Sequence, residues 1–165
     1  MKRFTVAIGL CAVITTAPAG QMPKYGVTVT ADKHVDFAKF KTYAWTGGQP
    51  SANKQIDARV VAAVDRELDA LGMTKATSGP RDVLVTYYSL SRTDVNLKAK
   101  PDSEGRLPQY WVGTLVVALL DQGSRQRLLR LRIDQPIEIE RAKLDPTIDG
   151  AVTALFAEYP TRRRK

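Results

Sequence analysis

The residue types that carry most protein chemistry are thinly spread in this chain. His34 is the only histidine and Cys11 the only cysteine among 165 residues. His34 stands two residues from Asp32 and from Asp36. One imidazole among scattered carboxylates lacks the ligand spacing of a metal site. No Gly-x-Ser-x-Gly elbow is present, and a single histidine does not define a triad. Gly47-Gly48 lacks the pattern of a phosphate-cradling loop. Acidic residues are plentiful, but their spacing singles out no catalytic pair. The residues therefore imply no catalytic set, no cofactor and no metal, and they point away from an enzyme.

What remains is binding chemistry. Trp45 and Trp111, with Tyr43, Tyr87 and Tyr88, could line a ligand pocket or fill the core. Lys98, Lys100 and Arg106 lie in the polar stretch 91–109, and Arg162-Arg163-Arg164-Lys165 ends the chain. These basic residues are the expected contacts for a protein or an anionic polymer. Nucleic acid is not expected, because basic residues without groove-reading or stacking elements specify little.

Residues 1–19 read as a signal peptide rather than as part of the fold. Lys2 and Arg3 precede an apolar run from Phe4 to Ile14, and Ala17-Pro18-Ala19 offers cleavage between Ala19 and Gly20. The run is too short to span a bilayer. The expected location is periplasmic, with no transmembrane helix in the mature chain. The rival is an outer-membrane lipoprotein cut before Cys11, which the bulky Leu10 disfavours. Without Lys2 and Arg3 the chain holds 23 basic residues against 17 acidic, about +6 with His34 neutral. Loss of Cys11 would remove disulfides and thiolate chemistry together.

The elements that must position these residues follow from periodicity. Tyr25 to Thr30 alternates as a half-buried strand. Asp36 caps a short turn that places Phe37 and Phe40 on one side. Thr42 to Trp45 forms a strand with Tyr43 and Trp45 on one face. Ile56, Val60, Val64, Leu68 and Leu71 make the apolar stripe of a helix from about Ser51 or Asn53 to Leu71, closed by Gly72. Asp82 to Leu90 carries bulk on both faces and reads as an interior strand. Residues 91–109 read as a long loop, either functional or disordered. Tyr110 to Asp121 is a buried strand, and Leu129, Leu131 and Ile133 face inward on the return strand. Asp145-Pro146 starts the last helix, whose stripe is Ile148, Val152, Leu155, Phe156 and Tyr159.

Several of these segments carry a resemblance. The run from Val27 to Trp45, ending Lys41-Thr42-Tyr43-Ala44-Trp45, resembles the opening of the bacterial family called domain of unknown function 4136. Leu68-x-x-x-Gly72, Pro80-x-Asp82-x-Leu84-Val85, Gly113-Thr114-Leu115-Val116 through Leu120-Asp121, and Tyr159-Pro160 continue it in order. The family commonly has a Trp on the return strand, and this chain has none there. The resemblance implies a similar exported domain, often lipoprotein-like, with no mechanism attached.

The expected fold is α+β: a mostly antiparallel sheet of four or five strands with two amphipathic helices packed on one face. Residues 20–160 form one domain, and 161–165 a disordered basic tail. The expected function is a non-enzymatic envelope binding or interaction module. The alternative is a small-ligand-binding protein or hydrolase with an aromatic-lined pocket. Oligomeric state is not legible.

Overall fold

The computed structural model describes residues 25–137 and 141–162. Its elements are β1 (Gly26–Ala31), a 3-10 turn (Phe37–Lys39), β2 (Thr42–Trp45), α1 (Lys54–Ala70), β3 (Thr74–Lys75), β4 (Val83–Val95), β5 (Gln109–Asp121), β6 (Arg127–Pro136) and α2 (Arg141–Ala157). The fold is α+β, with six strands ordered β1-β6-β5-β4-β2-β3. Strands β1, β6, β5 and β4 run antiparallel to one another in that order. β2 is parallel to both β4 and β3, so the sheet is mixed. The expected four or five strands become six because β3 is two residues long, too short for an alternation signal. The parallel pairing of β2 with β4 follows from α1, which carries the chain back across the sheet between them.

The aromatic stretch 36–45 does more than join adjacent strands. β1 lies at one edge of the sheet, and β6, β5 and β4 separate it from β2. The connection crosses the molecule, and it is anchored on the way. Asp36 accepts from the Ala38 N–H at 3.2 Å. Phe37 packs edge-on against Phe40 and Tyr159, with centroids 5.8 and 5.9 Å away.

Each helix end has an identifiable cause. Asn53 caps α1 by accepting from the Gln55 and Ile56 N–H groups at 2.9 and 3.3 Å. At the other end, Gly72 at φ 79° lets its N–H reach the Asp69 carbonyl and the Met73 N–H the Leu68 carbonyl. That is the paired Schellman closure, and Met73 is buried beside it. α2 begins at Arg141, so Pro146 lies inside the helix rather than at its start. The Arg-Ala-Lys-Leu run ahead of Asp145 consists of strong helix formers and extends the helix upstream.

The expected long loop is also shortened. Ser91–Val95 pair with Gly113–Gln109, so the β4–β5 hairpin runs well past the end of β6. Ladder hydrogen bonds hold these polar residues without burial, so their hydrophobicity carries no strand signal. Residues 96–108 are an ordered connection. Asn96 N–H donates to the Pro108 carbonyl and Asp102 N–H to the Arg106 carbonyl, each at 2.8 Å.

Both helices pack on one sheet face. There Val83, Val85, Tyr87, Val117, Leu119, Leu129, Leu131 and Ile133 meet Val60, Val64 and Leu68 of α1 and Ile148, Val152, Leu155 and Phe156 of α2. Among the described residues, the opposite face carries no helix. Gly48 allows a close approach where the chain leaves β2. A Cβ there would lie 2.3 Å from the Tyr87 carbonyl oxygen.

Candidate functional site

A cleft of about 550 Å³ lies between the sheet and the N-terminal halves of both helices. β2 leaves β4 beyond Trp45, and only the bridge from Gln49 to Tyr88 continues the pairing. Pro50, Ile56, Leu115, Ile133, Ile137 and Ile148 supply the apolar walls. Gln49, Ser51, Asn53, Ser89, Ser91, Gln135 and Thr147 supply the polar groups. Among the described residues, no Asp, Glu, Lys, Arg or His lines the cleft. Its size suits a small organic molecule. Its lining offers hydrogen bonds and apolar contact, but no charged general acid or base.

The cleft is not aromatic-lined. Tyr43, Trp45, Tyr87, Tyr88 and Trp111 are all absent from its walls. Three of them serve instead as a seam between sheet and α1. Trp45 Nε1 and Tyr43 Oη both donate to Asp65 Oδ1, at 2.8 and 2.7 Å. Lys75 Nζ completes that carboxylate from 2.9 Å. Tyr87 donates to Asp57, two turns earlier on α1, and accepts from the Ser51 N–H at 3.2 Å. Burial and then the bond to Asp57 push Tyr87 up to about 12. An aromatic with a polar tip can thus be core and still reach a carboxylate.

Trp111 takes the opposite role. It stands on the projecting hairpin with half of its surface exposed. Val95 and Leu97 are exposed on the same arm. Trp45 pairs with Val85 and Trp111 with Thr93 on β4, and these register partners lie about 26 Å apart along that strand. They do not share a site.

The basic candidates are also dispersed. Lys98 and Lys100 are exposed in the connection 96–108. Arg106 is engaged within that loop, by Asp102 at 3.1 Å and Glu104 at 2.8 Å. Arg162 is not part of a free tail. It donates to Glu67 Oε2 at 2.7 Å. Glu67 is buried on α1 and also accepts from Thr153 at 2.9 Å. A buried carboxylate needs such partners, and this requirement holds Arg162 down. Arg163, Arg164 and the cleavage residues Ala19 and Gly20 lie outside the described residues.

His34 is exposed, and its backbone N–H donates to Asp32 at 2.9 Å in a local turn. Among the described residues, no group of three or more His, Cys, Asp and Glu side chains could hold a metal. A second cavity of about 230 Å³ lies between the 37–41 turn, the end of α1 and Tyr159. The Tyr159 hydroxyl is buried without a hydrogen-bond partner among the described residues. Sequence patterning did not reveal the cleft, because its walls come from five separate segments.

Fold and site together define an α+β domain with a one-sided helical layer and a largely apolar cleft. The chain belongs to the family described as "Domain of unknown function (DUF4136)", whose model matches residues 27–161. No curated protein matches the sequence. Among solved structures, a PDZ domain protein from Parabacteroides distasonis is similar at 20% identity and TM-score 0.58. The match covers 85% of this chain and 36% of that one, so this chain spans about a third of its length. A PelC dodecamer from Paraburkholderia phytofirmans is similar at 9% identity and TM-score 0.56, covering 86% of this chain and 100% of that one. At these identities the likeness concerns the fold. No helix among the described residues is long and apolar enough to cross a membrane.

Proposed function

We propose that this chain is an exported, non-enzymatic binding protein of the cell envelope, and that its cleft holds an uncharged apolar group such as an alkyl chain. The carrying observation is the cleft lining: apolar walls, a few neutral polar groups and, among the described residues, no charged side chain. The leader-like residues 1–19 support export. Each methylene buried in such a cleft contributes about 0.8 kcal/mol, roughly fourfold in affinity.

The test is a calorimetric series of neutral alkyl glycosides of increasing chain length against the mature protein. Affinity should rise with each added methylene and level off once the cleft is full. Ser89→Trp, which projects bulk into the cleft, should abolish the rise while the fold, checked by circular dichroism, is retained. Affinity independent of chain length would sink the assignment.

A second reading rests on the hairpin arm, where exposed Trp111, Val95 and Leu97 suit a protein partner. In-cell crosslinking separates the two. A dominant partner lost on Trp111→Ser favours the arm.

A further inference from the structure

The helix-free face of the sheet carries a different chemistry from the cleft. Its centre is a concavity of about 210 Å³, lined by Leu90, Arg92, Thr114, Val116, Arg130 and Arg132, with Ser91 at its edge. Three guanidinium groups around one small hollow is an arrangement that β-sheet alternation does not require.

Two of the three are fixed in place. Asp134 is buried beneath them. Its Oδ1 accepts from Arg92 Nη1 at 2.9 Å, Arg132 Nη2 at 2.9 Å and the Thr114 hydroxyl at 2.6 Å. Its Oδ2 accepts from Arg132 Nε at 2.7 Å. Asp94 holds Arg92 from the other side, at 3.0 Å through Nε. These carboxylates remove rotamer freedom from Arg92 and Arg132, whose side chains remain more than a third exposed. Arg130 has no carboxylate within ion-pair distance among the described residues. It lies two positions from Arg132 on β6, on the same face. Among the described residues, three guanidinium groups against Asp94 and Asp134 leave one net positive charge at the hollow. The exposed hydroxyl residues Thr28 and Thr30 of β1 are register partners of Arg132 and Arg130.

We infer that this hollow is an oxyanion site, in which Arg130 and Arg132 grip a carboxylate or phosphate group while Asp134 keeps Arg132 in position. Guanidinium groups match both oxyanions through paired N–H donors. Val116 and Thr114 are buried beneath the hollow and give it a partly desolvated floor, where a charge-assisted bond is stronger than in water. The hollow and the cleft share Leu90, Ser91 and Thr114 as a common wall, but the three arginines line the hollow alone.

The experiment is an amide chemical-shift titration of the mature protein with inorganic phosphate and with acetate, each against sodium chloride at matched ionic strength. Saturable shifts confined to Thr28, Thr30, Val116, Arg130 and Arg132 are expected for at least one oxyanion and not for chloride. Arg130→Gln should weaken that binding about tenfold without moving the thermal midpoint, since Arg130 supports no buried group. Vesicles of phosphatidylglycerol and oligogalacturonate then distinguish a lipid phosphate from a polymer carboxylate as the source. Shifts equal in chloride, or affinity unchanged by Arg130→Gln, would overturn the proposal.

Discussion

Trp45 donates its indole N–H to Asp65 at 2.8 Å, across the interface between β2 and α1. Tyr43 shares the same carboxylate oxygen. A carboxylate on the sheet-facing side of a helix is therefore the anchor of the aromatic strand. Replacing Asp65 with Ala leaves both donors without this acceptor, at an expected cost of about 2–4 kcal/mol in urea unfolding. In a Trp111→Phe background, Trp45 emission should report the change directly. A loss below 0.5 kcal/mol, on the order of one exposed ion pair, would mean the seam is not structural.

Arg162 and Glu67 set a second expectation. Truncating the chain after Pro160 removes the guanidinium from a buried carboxylate. The truncated protein should lose about 2 kcal/mol, and Glu67→Gln introduced together with the truncation should recover part of it. Equal stability of the full and truncated chains would return Arg162 to the solvent.

Tyr159 carries a hydroxyl that meets no partner among the described residues. Burial alone raises it to about 12. Tyr159→Phe should therefore be stabilising by about 1 kcal/mol at neutral pH, because an unsatisfied buried hydroxyl is removed. The neutral phenol is favoured in the folded state, so its contribution is full below pH ~10 and lost as pH rises through 12. The Phe variant should lack that part of the alkaline loss. Destabilisation would show instead that the hydroxyl is satisfied.

Asp134 governs the acid side. Arg132 foremost, with Thr114 and Arg92, holds its carboxyl well below the usual carboxylate range. The unfolded carboxyl titrates near 4, so this stability is complete above pH ~5 and fades as pH falls toward the lower folded value. Asp134→Asn should lower stability at pH 7 and flatten the fall between pH 5 and 2 in a pH series of urea unfolding. An acid limb of unchanged slope would remove Asp134 from the account.

Local pattern carried much of the fold. The stripe of α1, its Gly72 closure, the inward face of β6 and the stripe of α2 were all legible, because each depends on residues a few positions apart. So were the Asp36 cap and the shared face of Tyr43 and Trp45. The family resemblance rested on the same short runs.

Strand neighbours were not legible. Nothing in 32–41 says that β1 must pair with β6 rather than β2, since that choice depends on which apolar faces the helices cover. The two-residue β3 and the polar extension of β4 exist only as ladder partners of other strands. The same limit applies to function. Asp65 became an anchor, Trp45 a core donor and Arg162 a counterion only when distant segments met. The cleft and the arginine hollow are products of tertiary structure, because each draws its walls from segments that sequence distance keeps apart.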